Sequence, residues 1–267
     1  MALPKKNAPV TQVNTWDKDL ADAAVAAAAQ EQGTTGGTFF SLQAGQLSFD
    51  GTTFPGNEMA VIILDSIHEN ILYKDDYDKN NLTSPDCYSF GRDEKTMCPH
   101  EDVENPESTQ CLGCPQNAWK SNPNGRGGKW CGNKRRLALI NAGSFVNGQF
   151  QMADDLEHYQ DAAIAYLKLP VMSVKGFAGY VKQVSNALAR PPFGVFTRVK
   201  VVPDGDSQFR VTFECLGNVP SALGEVVTRR RNEAVDEIEF PYQPMPEAAA
   251  PVAAPVAAPV VKRKSKF

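Results

Sequence analysis

Cysteines are the residues of this chain whose type and spacing point most directly to chemistry. Five of the six fall between positions 87 and 131, and two of them form the motif Cys111-Leu-Gly-Cys114, in which Gly113 permits a tight turn. Thiols two residues apart are a common half of a structural zinc site, which needs four sulfur or nitrogen ligands. The segment 87–131 has little helical or strand periodicity, so a bound metal would supply the ordering free energy, about 10 kcal/mol. The sequence therefore predicts one structural zinc ion in this segment.

The spacing also suggests which residues hold that ion. The predicted ligands are one histidine and three cysteines: His100, Cys111, Cys114 and Cys131. Cys98 and Cys87 remain alternates. Only Pro99 separates Cys98 from His100, which makes simultaneous ligation awkward, and we favour His100 of the two. Cys87 is interpreted as a buried thiol at the end of a strand.

Signatures of catalysis are missing from the sequence. The zinc deaminase pattern places Glu two residues after His and Pro before the CxxC. Here Glu101 follows His100 directly and Gln110 precedes the CxxC. There is no HExxH helix, phosphate-binding GxxxxGK[ST] loop, GxSxG elbow or GxGxxG turn. The sequence therefore predicts a protein that is not an enzyme, with zinc in a structural role.

Charge is segregated along the chain, although the net charge is only −4. Residues 115–153 contain no Asp or Glu. The basic residues and tryptophans of this block are Trp119, Lys120, Arg126, Lys129, Trp130, Lys134, Arg135 and Arg136. Cations interleaved with aromatic rings suit single-stranded nucleic acid, because phosphates meet Lys and Arg while bases stack on rings. The alternative is that the tryptophans form a small core for the zinc segment.

Strand-like patterns dominate the coarse secondary structure. Predicted strands lie at 60–64, 70–73 (as a partner of 60–64), 136–141, 195–202 and 208–215, the last two as a hairpin. Predicted helices lie at 16–30, at 174–189 with Ser173 as the cap, and at 223–238. These elements predict a β-rich α+β fold: an OB-like barrel with an inserted zinc-binding subdomain and flanking helices.

Composition divides the chain into three parts. Residues 1–37 are predicted as a helical arm, and 38–243 as the OB-like core with the zinc insert at about 87–131. Residues 244–267 repeat Ala, Pro and Val before a basic end and are predicted to be a disordered tail. No apolar run, including the one at 59–64, approaches the length of a membrane span, and no apolar signal segment follows the N-terminus. The sequence thus predicts a cytoplasmic protein without a membrane partner.

Several motifs resemble a zinc-containing protein family of tailed bacteriophages. They are Cys87-Tyr-Ser-Phe-Gly-Arg-Asp-Glu, Pro99-His100, Cys111-x-x-Cys114-Pro, Cys131-x-Asn-Lys-Arg-Arg-Leu, Leu169-Pro-Val-x-Ser-Val-Lys-Gly and Arg190-Pro-Pro-Phe. The resemblance spans most of residues 38–216. More loosely, a Cys₃His site in a basic, aromatic OB-like protein is similar to the single-stranded DNA-binding proteins of T4-type phages. In those proteins the histidine comes first and the CxxC last, whereas Cys131 follows the CxxC here.

These resemblances imply a function in the cytoplasm of an infected bacterial host. The predicted function is sequence-independent binding of single-stranded DNA in phage DNA replication or recombination. The basic residues of the acid-free block would contact phosphates, and Trp119 and Trp130 would stack on bases. Phage replication or recombination proteins are the predicted partners of the C-terminal tail. The alternative is a zinc-containing adaptor or regulator that binds a polymerase or another protein.

Overall fold

The computed structural model describes residues 39–75, 83–124 and 127–242. The predicted N-terminal arm, the C-terminal tail and Arg126 lie outside these ranges. The strands are β1 (Ser48–Phe49), β2 (Thr52–Thr53), β3 (Glu58–Leu72), β4 (Cys87–Gly91), β5 (Gly132–Val146), β6 (Gln149–Met152), β7 (Ala165–Leu169), β8 (Val195–Asp204) and β9 (Gln208–Asn218). The α-helices are α1 (Leu156–Asp161), α2 (Val171–Leu188) and α3 (Gly224–Glu237).

Two long antiparallel strands, β3 and β5, form the centre of a seven-stranded sheet. On the edge of β3 that faces away from β5, β4 pairs with the C-terminal end of β3 and β8 pairs with the N-terminal end of β3. The other edge of β5 pairs with β7 and then with β6, and β9 continues the sheet beyond β8. All of these pairings are antiparallel. β1 and β2 form a separate two-stranded ribbon.

The sheet curls into a half-barrel. β6 and β8 are separated in the sheet by β5 and β3, yet the rings of Phe150 and Phe196 lie 5.3 Å apart. Arg198 on β8 also donates to the carbonyl oxygen of Gly148 in the turn before β6, at 3.3 Å. Such contacts across two intervening strands require strong curvature. The prediction of a β-rich fold with few helices is therefore confirmed at this level.

Helices cover both faces of the sheet. Ala60, Ile62 and Leu64 pack into a core cluster with α1 and α3, whereas Val61 and Ile63 pack into a second cluster with α2. Side chains alternate between the faces of a strand, so a strand buried on both sides reads as a continuous apolar run. This explains the uninterrupted run at 59–64.

One strand prediction was wrong. Residues 70–73 were predicted as a partner of 60–64, but residues 58–72 form a single strand. Polar residues, among them Asp65, occupy the middle of this strand. In the structure they are paired inside the sheet: Arg92 donates to both carboxylate oxygens of Asp65, at 2.8 and 2.7 Å. The register shift between Ile63 and Asp65 is a local irregularity, not the end of the strand.

The other clear elements agree with expectation. The β8–β9 hairpin and the last helix are confirmed. The helix predicted at 174–189 is α2, but Ser173 lies inside it, not at its cap. The Ser173 hydroxyl instead accepts a hydrogen bond from the backbone N–H of Val211 on β9, at 2.9 Å. Ser173 therefore joins α2 to the sheet.

None of the helices in the described ranges is long and apolar enough to cross a membrane.

Candidate functional site

Four of the six cysteines line one small cavity at the C-terminal end of β3. They are Cys87, Cys111, Cys114 and Cys131. The cavity has a volume of about 20 Å³, which is room for roughly one water-sized body. Three distant parts of the chain thus bring thiols to one place.

The sheet positions two of these thiols. Cys87 begins β4 and pairs with Leu72 on one edge of β3. Cys131 directly precedes Gly132, which pairs with Ile71 on the other edge of β3. Ladder pairing on both sides of one strand therefore fixes Cys87 and Cys131 around its end.

The CxxC supplies the other two thiols from a tight turn. The backbone N–H of Cys111 donates to the Met97 carbonyl at 3.0 Å, and that of Cys114 donates to the Cys111 carbonyl at 3.4 Å. Gly113 has φ +82°, a conformation that suits glycine, as the motif predicted. The Ser89 hydroxyl lies 3.1 Å from the Cys111 sulfur. This contact ties the turn to β4.

The four thiols are close enough to influence one another. Burial, together with Cys111, Cys87 and Cys114, raises the pKa of the Cys131 thiol to about 12. Burial also raises the pKa of Cys87. Within the described ranges, no group of three or more His, Cys, Asp and Glu side chains is drawn together as a formed metal centre. The four cysteines line one cavity, but their side chains are not gathered around a single point.

The placement of His100 does not match its predicted role as a ligand. Its backbone N–H donates to the Tyr88 carbonyl at 2.9 Å, and its ring stacks on Tyr88 with centroids 5.0 Å apart. Its Nδ1 lies 3.3 Å from the Tyr88 hydroxyl, and the ring does not line the cavity. Cys98 is exposed and does not line the cavity, although Pro99 next to it does. Cys87, the other alternate, lines the cavity.

The aromatic and basic residues next to the CxxC are brought together. The Ser121 hydroxyl donates to the Gln116 carbonyl at 2.8 Å and accepts from the Trp130 backbone N–H at 2.9 Å. This bridge holds residues 116–121 beside 129–131. Trp119 is 72% exposed, and the exposed Lys120 follows it in the chain. Lys129 is also exposed and donates to Asn117 Oδ1, two residues before Trp119, at 3.0 Å. Trp130 is half-buried, which fits the alternative of a small local core for that one ring.

The basic run at 134–136 is divided between the two faces of the sheet, because side chains alternate along β5. Arg135 is half-buried, with its guanidinium 5.9 Å from the Phe177 ring on α2. Arg136 points to the opposite face and is 1% exposed. The prediction that Arg136 contacts phosphate is therefore corrected, since its guanidinium is enclosed. Lys134 remains half-exposed on the Arg136 face.

Arg136 belongs to a buried ionic cluster that the sequence reasoning missed. Its Nε and Nη2 donate to Glu69 Oε1 at 3.1 and 2.5 Å, and Glu69 is fully buried. The Tyr242 hydroxyl donates to the same oxygen at 2.9 Å, and Lys168 Nζ donates to that hydroxyl at 2.5 Å. Arg136 Nη1 also donates to the carbonyl oxygens of residues 238 and 240. The signal in the sequence was weak, because Glu69 is one of several polar residues in the second half of β3.

Lys168 gives this cluster a measurable pH dependence. Burial is the main cause that lowers the pKa of Lys168 to about 8 from an ordinary 10.5, and Arg136 and Lys134 add to it while Glu69 opposes it. Between these values the unfolded chain holds more protons than the folded protein, so stability due to Lys168 rises with pH. We expect the difference in free energy of unfolding between wild type and Lys168→Met to increase by about 2 kcal/mol from pH 8 to 10.5. Urea denaturation measures this difference, and an equal difference between the two proteins at pH 8 and at pH 10.5 would contradict the expectation.

Comparison of the chain with protein-family models, with curated proteins and with solved structures found no match. The resemblance to a phage zinc protein family therefore stays a prediction that rests on sequence motifs.

Proposed function

We propose that this protein binds single-stranded DNA without sequence preference, acts in phage DNA replication or recombination, and is not an enzyme. The observation that carries the proposal is the 72% exposure of Trp119 beside Lys120 and Lys129. An exposed indole loses contact with water when a base stacks on it, and neighbouring cations neutralise the phosphates on either side.

The support from the fold is indirect. The curled antiparallel sheet is compatible with an OB-like barrel, an architecture that often presents single strands with a groove and stacking rings. The segment that carries Trp119 projects between β4 and β5, as an insertion in the loop of such a barrel would. We propose the OB-like assignment on these grounds.

The first test concerns stacking. We expect Trp119→Ala to weaken binding of oligo-dT by about 5- to 150-fold, because one base–aromatic stack contributes about 1–3 kcal/mol. The dependence of log K on log salt should stay unchanged, since stacking releases no counterions. Fluorescence titrations of labelled oligo-dT at several salt concentrations measure both quantities. Met172→Ala is the matched control, because Met172 is an exposed apolar residue (58%) at the start of α2.

The second part of the test concerns charge. Lys120→Ala and Lys134→Ala should each make the salt slope shallower by about 0.7, whereas Lys182→Ala on the exposed face of α2 should not change it. Affinity and slope equal to wild type in Trp119→Ala and in both lysine variants would remove this surface from the proposal. Oligo-U in place of oligo-dT measures the preference between DNA and RNA.

A protein-binding adaptor is the second candidate. Leu112 is 61% exposed in the CxxC turn, so this turn presents an apolar side chain as well as the nearby Trp119. Exposed apolar groups can mark contacts with another protein. In that case wild-type protein would show no salt-dependent binding of oligo-dT.

A further inference from the structure

We infer that Cys87, Cys111, Cys114 and Cys131 bind a single zinc ion as a four-sulfur structural site, with neither His100 nor Cys98 as a ligand. This inference concerns the metal alone and does not depend on DNA binding.

The ligand set follows from where the fold brings the thiols. Pairing with β3 places Cys87 on one side and Cys131 on the other, and the CxxC turn lies against the same cavity. A structural zinc site takes four ligands in a tetrahedral arrangement, with Zn–S distances of about 2.3 Å. Since the side chains are not yet gathered that closely, they would have to rotate inward to reach one ion.

The size and chemistry of the cavity favour one zinc ion. Its volume of about 20 Å³ suits a single ion better than a multinuclear cluster. Four soft sulfur ligands in a tetrahedral set are typical of zinc or of iron–sulfur centres, and the small volume disfavours an iron–sulfur cluster. The Ser89 hydroxyl, 3.1 Å from the Cys111 sulfur, can donate to that sulfur and orient it.

One lysine offsets part of the charge of such a site. Four thiolates around one Zn²⁺ carry a net charge of about −2. Lys129 interacts electrostatically with Cys131, whereas Lys74, which lies near Cys87, is paired with Glu107 at 2.6 Å. Lys129 also donates to Asn117 Oδ1 at 3.0 Å and to Asn133 Oδ1 at 2.7 Å. The same lysine therefore holds the turn against β5 and lies beside the sulfurs.

The zinc site would fix the surface that bears Trp119 to the sheet. Apart from a short 3₁₀ helix at Pro115–Asn117, residues 92–124 and 127–131 contain neither strand nor α-helix. A metal bound by four residues from three parts of the chain would add strong cross-links to the hydrogen bonds that already hold this segment.

The test uses the full chain, purified without a metal-affinity tag. We expect elemental analysis to find about one zinc per chain, and zinc-edge X-ray absorption to find four sulfur neighbours at about 2.3 Å. Cys87→Ser should reduce the zinc content to less than ~0.2 per chain. His100→Ala, Cys98→Ser and the matched control Cys215→Ser on β9 should keep the wild-type zinc content and absorption spectrum.

Three outcomes would overturn the inference. One is a wild-type protein with less than ~0.2 zinc per chain. Another is an X-ray absorption spectrum with one nitrogen among the four zinc neighbours, together with loss of zinc in His100→Ala. The third is iron with acid-labile sulfide in place of zinc. If Cys87→Ser does not fold, the wild-type spectrum and His100→Ala still decide the ligand set. Zinc content is measured without DNA, so a failure to bind oligo-dT would leave this inference intact.

Discussion

Arg136→Met is expected to lower the free energy of unfolding by about 3–5 kcal/mol, because it leaves the Glu69 carboxylate buried without its main counter-charge. Glu69 and Arg136 are 0% and 1% exposed. Lys168 is the next cation, 3.9 Å from Glu69 Oε1, and cannot replace two short hydrogen bonds. The variant also loses the hydrogen bonds to the carbonyl oxygens of residues 238 and 240. Urea denaturation followed by circular dichroism measures the loss.

The same strand offers a control for this effect. Arg92 and Asp65 form a two-pronged pair near the surface, with the Arg92 side chain 46% exposed. The Asp65 side chain is 10% exposed, so the carboxylate left by Arg92→Met keeps some contact with water, and the loss should be smaller than that of Arg136→Met, about 1–2 kcal/mol. The double variant Glu69→Leu/Arg136→Met should be more stable than Arg136→Met, since it no longer buries an unpaired charge. An equal loss in the Arg92 and Arg136 single variants would refute the explanation.

Gly143→Ala is the second substitution with a large expected effect. A Cβ at this position would lie 2.1 Å from the carbonyl oxygen of Gln151 and 2.9 Å from the backbone nitrogen of Ala153. Both are backbone atoms of β6 and the residue after it, so no side-chain rotation can relieve the clash. Gly143 also has φ +142°, which side chains disfavour. We expect the free energy of unfolding to fall by about 3 kcal/mol or more.

A variant at Gly148, in the turn of the same hairpin, distinguishes the effect of the steric clash from the effect of the positive φ. Its φ is +76°, and a Cβ there would meet nothing within 4 Å. Gly148→Ala should cost only about 1–2 kcal/mol, the penalty of a left-handed conformation. If thermal or urea denaturation gives the same loss for Gly143→Ala and Gly148→Ala, the close approach of β6 to β5 is not the cause.

Local patterns were enough to predict the elements whose residues interact with near neighbours. The β8–β9 hairpin combines alternating strands with a Pro-Asp-Gly-Asp turn, and the structure has both strands there. The glycine of the CxxC predicted a tight turn, and Gly113 has the expected positive φ. Both signals lie within a few residues of the feature they specify, so they can be read without knowledge of the fold.

The zinc ligand candidates show what the sequence left open. From the sequence, His100 was preferred, with Cys98 and Cys87 as alternates. The pairing of β4 with β3 instead brings Cys87 to the cavity, while the ring of His100 rests on Tyr88. Sequence distance carried little information here because a sheet brings together residues from separate strands.

The sequence alone determined that the thiols cluster, that an acid-free block surrounds Trp119, and that the chain is rich in strands. Only the tertiary structure decided which of the basic side chains are exposed and which are buried. Lys134, Arg135 and Arg136 read as one basic patch, but strand alternation sends Arg136 inward to Glu69, which is 67 residues away in the chain. A buried ion pair depends on which two strands lie side by side, and no pattern around either residue encodes that neighbour. The pairing of the strands therefore determines how many basic side chains remain exposed and able to contact phosphates.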